Sequence, residues 1–199
     1  MNSVELLITG NLWLSLAVSI PIVVLDYVLT IYNARTFRAA ELDAKLCIEG
    51  SLEITPFFQT PVNQLQLINA RFLLILALRI VLLVAVWYWA AFIGAAFLYA
   101  LFLGATVVGP FLAIIRHIEN AIWYRALQRL GPDDVFRSEQ PRWLRIQSSA
   151  VNRLMYAVLF ATIFVLTGSF FLLGGACSCA GNAFQRWRIS RWERKKKVA

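Results

Sequence analysis

The sequence predicts an all-α integral membrane protein, a four-helix bundle whose helices extend beyond the bilayer on one side. Composition is the first reason: 60% of the 199 residues are hydrophobic and only 15% are charged. In a soluble domain about a quarter of the residues are charged. The second reason is that four apolar segments each approach the roughly 20 residues needed to span a bilayer. The third is that helix-forming sequence continues past these segments into polar stretches.

The transmembrane domain is placed at residues 1–182, with spans at 12–33, 71–89, 91–115 and 154–178. The first span begins beside Trp13, an aromatic residue of the kind enriched at membrane interfaces. Its helix is expected to continue past the membrane and to end at Gly50, because glycine suits a helix C-terminus.

The second helix is expected to start at Thr60 and Pro61, which suit the N-cap and the first helical position. It ends at the WYW triplet of residues 87–89, a second set of interface aromatics. A tight turn then leads into the third span. Pro110 is expected to kink that helix, because proline cannot donate a backbone hydrogen bond.

Residues 34–70 and 116–153 are expected to form a stalk, a set of helical extensions outside the membrane on one side. The stretch HIENAIWYRALQRL places its apolar residues on one face, with Arg125 and Arg129 off it, as in an amphipathic helix. The fourth helix is expected to start near Arg142 and to enter the membrane near Leu154.

Residues 183–199 are predicted to form a basic amphipathic tail. Tryptophans alternate with cations in this segment, which is typical of an interfacial helix followed by a basic clamp on anionic lipid headgroups. A solvated, positively charged stop signal is the favoured interpretation over specific lipid recognition, and nucleic-acid binding is not expected from so short a segment. The headgroup-binding residues are predicted to be Arg186, Arg188, Arg191, Arg194, Lys195, Lys196 and Lys197.

Charge counts give conflicting predictions of orientation. With four spans, the stalk and the tail lie on opposite sides of the membrane, and both are basic. Counting Lys and Arg near the spans puts the stalk in the cytoplasm. The membrane potential opposes outward transfer of the dense tail charge, so this criterion puts the tail in the cytoplasm instead. We take a cytoplasmic tail as the expectation.

Asp26 lies inside the first span and requires a partner, because intramembrane carboxylates are costly and face the bundle interior. Thr30 and Asn33 follow at i+4 and i+7, so the three residues form a polar stripe. Measured from the interface that Trp13 and the WYW triplet mark, Asp26 lies about 20 Å deep and Arg79 about 16 Å deep. We predict an Asp26–Arg79 ion pair. The alternative is a proton or cation site that uses the oxygens of the stripe.

Small residues predict close helix packing in the third span. Ala96, Ala100 and Gly104 recur at four-residue spacing, which lets helix backbones approach each other. Packing within the bundle is the favoured interpretation. Contact with a second chain is the alternative.

Glu49, Glu53, Arg116 and His117 are expected to gather as a charged cluster in the stalk. The two carboxylates could perform acid–base chemistry, and the histidine could ligate a haem or chlorin. No nucleophile or oxyanion site accompanies them in the sequence. Charge neutralisation and stalk packing are therefore favoured, and no catalytic residue is assigned.

The three cysteines, Cys47, Cys177 and Cys179, predict neither a disulfide nor a metal site. Cys47 is expected on the other side of the membrane from the C-x-C pair, and a bridge within that pair would be strained. Because the single histidine is remote in sequence, no metal and no cofactor are expected.

The stretches LDYVLT and EGSLEITPFF resemble a pattern of small prokaryotic polytopic membrane proteins, in which an Asp-x-x-x-Thr span precedes a Glu-x-x-Pro loop. The resemblance covers the first third of the chain, departs from the pattern at Thr55, where asparagine is usual, and brings no activity with it. It implies a prokaryotic cytoplasmic membrane. In a eukaryotic source, the final KKVA would instead fit a dilysine retrieval signal and the endoplasmic reticulum.

The sequence favours a non-enzymatic membrane protein that acts by association, as an accessory subunit of a larger complex or as a small homo-oligomer. It contains no nucleotide-binding loop, metal cluster or catalytic triad. One alternative is an ion- or proton-coupled transporter or channel using Asp26 and Arg79. Another is an intramembrane lipid-acting enzyme using the stalk cluster.

Overall fold

The computed structural model describes residues 3–39, 46–48, 56–129 and 138–198, and it confirms an all-α membrane fold. Four described helices are long and apolar enough to cross a bilayer: α2, α4, α5 and α6. The elements are α1 (Ser3–Gly10), α2 (Leu12–Ala39), β1 (Leu46–Ile48), α3 (Pro56–Asn63), α4 (Ala70–Phe92), α5 (Ala96–Arg129), β2 (Ser138–Gln140), α6 (Arg142–Thr167) and α7 (Phe170–Val198).

The long helices alternate in direction, which gives the bundle two distinct ends. The turn end holds α1, the α4–α5 turn at Gly94 and the α6–α7 turn at Gly168, and both glycines adopt positive φ. The opposite end, where α2, α5 and α7 finish and where α4 and α6 begin, is called the basic end here because of the charges described below.

The predicted fourth span, residues 154–178, is not one helix, and this corrects the expected topology. The helix α6 stops at Thr167, where Gly168 takes the left-handed conformation and donates its N–H to the Phe164 carbonyl at 2.7 Å. The chain then reverses, and α7 runs back in close contact with α6. Apolar residues surround this turn, so hydropathy alone did not reveal it. The described part of the tail, residues 183–198, is therefore the second half of α7 and lies at the basic end.

The start of the second spanning helix also differs from the prediction. Pro61 lies inside the short helix α3, and α4 begins only at Ala70. Asn69 is the N-cap of α4, since its side chain accepts a hydrogen bond from the Arg71 N–H at 2.8 Å. The chain bends between these helices at Leu65, which has a positive φ of 53°.

The helix α5 lies at the centre of the bundle and contacts α2, α4 and α7. Its buried residues Tyr99, Leu103 and Val107 pack with Leu16 of α2 and Leu83 of α4. Farther along, it packs against both α6 and α7. At the basic end, β1 and β2 pair in parallel and join the connection after α2 to the connection after α5.

Candidate functional site

The polar stripe of α2 meets His117 of α5. The His117 Nε2 atom lies 3.2 Å from the Asp26 carboxylate and 2.9 Å from the Thr30 hydroxyl oxygen. Asn33 donates to the His117 carbonyl at 2.9 Å, and its Nδ2 also lies 3.3 Å from His117 Nδ1. The structure thus brings the three stripe residues together on the one histidine of the chain.

These contacts favour one protonation state of His117. The Thr30 hydroxyl donates to the Asp26 carbonyl at 2.8 Å, so its oxygen is left to accept a hydrogen bond from the imidazole. The amide of Asn33 offers an N–H to Nδ1, which can accept only if it carries no proton. A neutral imidazole with its proton on Nε2, shared between Asp26 and Thr30, is compatible with these contacts and leaves the buried Asn33 Oδ1 without a hydrogen-bond partner.

The predicted Asp26–Arg79 ion pair is not a direct contact among the described residues, where each side chain contacts another partner. Arg79 instead donates from its guanidinium to the Thr106 carbonyl of α5. That carbonyl would normally accept from the backbone N–H four residues later, where Pro110 has none. Arg79 therefore satisfies an acceptor that the proline leaves free. Asp26 still attracts Arg79 electrostatically, but its carboxylate is in contact with His117.

The Asp26–His117 contact is neither fully buried nor open. The side chain of Asp26 is 28% exposed and that of His117 is 19% exposed. Because Asp26 and Thr30 both face Nε2, the imidazole cannot take a proton from the hydroxyl while the carboxylate orients its other nitrogen. The cluster therefore lacks the arrangement of a nucleophile–histidine–acid triad.

The predicted stalk cluster is not one site. Arg116 donates to Ser149 of α6 at 2.8 Å, whereas His117 contacts α2. These neighbouring residues of α5 therefore contact different helices. Glu49 and Glu53 lie outside the described residues. The assignment of His117 to the stalk followed from ending the third span at residue 115, and it overlooked that the side chain contacts the polar stripe of the first span.

Of the predicted packing residues, Ala100 and Gly104 are buried and Ala96 is exposed. Gly104 is in contact with the backbone of α7: a Cβ added there would lie 1.8 Å from the Phe171 carbonyl oxygen. Gly174 likewise lies against the Leu101 carbonyl, also at 1.8 Å from an added Cβ. Packing within the bundle, the favoured interpretation, is thus present. The sequence analysis missed the Gly174–Gly175 pair, which could have identified α7 as the helix that packs against Gly104.

The tail residues pack on aromatic rings of the basic end. Arg188 lies over Phe184, Arg191 over Trp187 and Arg194 over Trp143, at 5.9, 4.9 and 5.4 Å from the ring centroids. Arg142 pairs with Glu193 at 3.6 Å. Arg186 contacts Ser149 at 2.8 Å, Lys195 is exposed, and the side chains of Lys196 and Lys197 lie outside the described part.

Glu5 is a polar contact that sequence reasoning missed. It is 6% exposed, and its carboxylate accepts from the Phe171 N–H at 3.0 Å, in the first turn of α7. Negative charge is favourable at a helix N-terminus. This hydrogen bond joins α1 to α7. It could not be predicted from the sequence, because the position at which α7 begins was not known.

Among the described residues, no group of three or more His, Cys, Asp or Glu side chains could hold a metal ion. Cys177 is exposed, Cys179 is buried, and both are free thiols. Comparison with protein families, curated proteins and solved structures finds no match to this chain.

Proposed function

We propose that this chain is a non-enzymatic integral membrane protein that acts by association, and that α4 mediates contact with a second copy of the chain. The observation that supports this proposal is the sparse packing of α4. Only Phe72, Leu83 and Ala90 of its 23 residues are buried, and its contacts with α2 and α5 are few. An apolar helix with so few buried residues leaves most of its surface free to contact other helices or lipid.

The outer face of α4 has the pattern of a helix-pairing surface. Its exposed residues alternate at spacings of four and three, the repeat of a left-handed helix pair. Ala85 lies at the centre, where a small residue lets a partner approach. Since this seam carries no charge, an identical seam is a suitable partner, as in a twofold dimer. The seam consists of Leu74, Leu78, Val81, Ala85, Tyr88 and Phe92.

Cysteine crosslinking in lipid nanodiscs or native membranes tests the dimer. With the native cysteines replaced by alanine, Leu78→Cys should crosslink to a second copy. Leu159→Cys on α6 is the matched control, because Leu78 is 52% exposed and Leu159 is 51% exposed. Equal crosslinking at both positions, a monomer by single-molecule photobleaching, or crosslinking only to another protein would contradict the proposal.

Proton-coupled transport is a second candidate function, supported by the Asp26–His117 contact. A partly exposed acid and imidazole in membrane-crossing helices are groups that proton pathways use, and Arg79 does not form a hydrogen bond with Asp26. Flux in proteoliposomes under a pH gradient tests it. Asp26→Asn and His117→Gln should each abolish flux, and Thr162→Val, a change at an exposed α6 residue, should not. Flux that is absent from the wild-type protein, or unchanged in both variants, would exclude this function.

We also propose that the basic end faces the cytoplasm. The chain has no Lys or Arg before Arg35, none between Arg79 and Arg116, and none between Arg153 and Arg186. The turn end is made from these stretches without Lys or Arg, so the described cations other than Arg79 belong to the opposite end. Such asymmetry puts the basic end inside the cell. With the resemblance noted above, it supports location in a prokaryotic cytoplasmic membrane.

A further inference from the structure

We infer that three arginines from three helices form a binding site for the phosphate group of an anionic membrane lipid. The residues are Arg116 of α5, Arg153 of α6 and Arg186 of α7, arranged around Ser149 of α6. This site does not depend on the proposed dimer, because α4 contributes nothing to it.

Ser149 brings two guanidinium groups together. It is fully buried, and its hydroxyl oxygen accepts hydrogen bonds from Arg116 Nη1 and Arg186 Nη1, each at 2.8 Å. Both cations donate to one oxygen, so their Nη1 atoms cannot be farther apart than twice that distance. One phosphate group can therefore be reached by both, and guanidinium groups suit phosphate because they donate in pairs.

Arg153 adds a third positive charge. It lies one helical turn after Ser149 on the same face of α6, and it donates to the Gly109 carbonyl at 3.1 Å and not to Ser149. Its charge repels Arg116, and the acidic residue that acts on Arg116 is the exposed Glu119. Three cations held close together are stabilised by an anion that bridges them.

The depth of the cluster favours a lipid over a free anion. Arg116 follows the start of α5 at Ala96 by 20 positions, a rise of about 30 Å, which equals the thickness of the hydrocarbon core. The cluster therefore lies at headgroup level in the leaflet at the basic end. If that end is cytoplasmic, as proposed above, this leaflet is the one rich in anionic lipids.

The cluster differs from the remainder of the tail. Arg188 and Arg191 lie over rings of α7 itself and are exposed, so they can supply only diffuse attraction to a charged surface. Arg186 instead points to α6 and is partly buried.

Native mass spectrometry of the full chain in detergent tests the site. The added probes are short-chain phosphatidylglycerol, short-chain phosphatidylcholine and inorganic phosphate. We expect saturable binding of phosphatidylglycerol alone. Arg186→Gln should weaken it about tenfold or more, the usual effect of losing a hydrogen bond to a charged group. The matched control is Arg188→Gln, which removes the same charge two residues away and should change binding less than twofold.

Each other outcome would overturn the inference. Equal loss in Arg186→Gln and Arg188→Gln would show that the tail attracts lipid only by its total charge. Inorganic phosphate binding as tightly as the lipid would identify a free anion as the ligand. Equal binding of phosphatidylcholine would exclude recognition of net negative charge.

A conservative variant covers the case in which Arg186→Gln does not fold. Arg116→Lys keeps the charge near Ser149 but loses the paired donors of the guanidinium. It should elute from size exclusion as the wild type does and still bind phosphatidylglycerol several-fold more weakly. Unchanged binding by a folded Arg116→Lys variant would also overturn the site.

Discussion

At the scale of single residues, the partner of an intramembrane charge is decided by the backbone as well as by opposite charge. Arg79 illustrates this, since it donates to the Thr106 carbonyl that Pro110 leaves without its helical donor. In an apolar medium an unsatisfied carbonyl is costly. The arginine therefore compensates for a proline on the neighbouring helix.

This interpretation predicts a specific coupling between two substitutions. Arg79→Met should destabilise the protein by about 1–3 kcal/mol, because it leaves the Thr106 carbonyl unpaired. In a Pro110→Ala background, the restored backbone N–H can bond that carbonyl, so Arg79→Met should cost measurably less. A double-mutant cycle on unfolding in mixed micelles checks this. Strictly additive costs would show that Arg79 stabilises the bundle in some other way.

The contacts of His117 predict its tautomer. Because Asn33 offers a donor to Nδ1, the neutral imidazole should carry its proton on Nε2. The chain contains one histidine, so ¹⁵N-histidine NMR in detergent gives an unambiguous signal.

Asn33→Ala removes that donor and should allow the proton to populate both nitrogens. A neutral wild-type imidazole with its proton on Nδ1 would contradict the assigned hydrogen bonds.

The sequence identified the polar residues of the site but not their pairing. The stripe of Asp26, Thr30 and Asn33 followed from helical periodicity alone, which is a local property. The partner did not, because the choice between Arg79 and His117 depends on the relative depth of separate helices. The third span was assumed to end at residue 115, and this boundary placed His117 in the stalk instead of the bundle.

At the scale of elements, α5 and α7 cross with their backbones in direct contact. Gly104 and Gly174 each lie against a carbonyl of the other helix, which brings the two backbones together without side chains between them. Such crossings depend on shape, because lipid offers no hydrophobic drive for helix association.

Gly104→Ala and Gly174→Ala should each destabilise the protein by about 1–3 kcal/mol, the usual cost of overpacking. The added methyl group would overlap a backbone carbonyl, which cannot rotate away. Gly181→Ala, also in α7, is the control, since nothing lies within 4 Å of its added Cβ. Thermal unfolding in detergent gives the comparison. Equal stability of all three variants would show that the crossing is looser than described.

Helix ends were harder to predict than helix existence. The four long apolar helices were evident from hydropathy, but the turns at Gly94 and Gly168 lie within apolar sequence. The second was missed because the residues on either side of Gly168 and Ser169 are as apolar as the spans. A glycine in left-handed conformation is a property of the backbone, and hydropathy does not record it.

At the scale of the whole molecule, the return of α7 removes the conflict in the charge counts. With the tail beside the stalk residues, both basic regions lie at one end, and the positive-inside rule and the membrane potential give the same orientation. The fold class could thus be predicted from composition. The topology could not, because one missed turn moved the tail to the wrong side.

Reporter fusions check the orientation. A fluorescent protein fused after residue 198 should mature in the cytoplasm, whereas a periplasmic phosphatase inserted at the α4–α5 turn, at Gly94, should be active. The expectation holds for a bacterial host that inserts the protein. A phosphatase active at the tail and silent at Gly94 would reverse the assigned orientation.

The turn at Gly168 also has a consequence for how the protein enters the bilayer. From Leu154 to Gln185 the chain has no charged residue, so α6 and the first half of α7 can insert together as a neutral loop. If the basic end faces the cytoplasm, as proposed above, the cations on both sides of that loop stay in the compartment of synthesis. Biogenesis of this hairpin therefore requires no transfer of a charged segment through the insertion machinery.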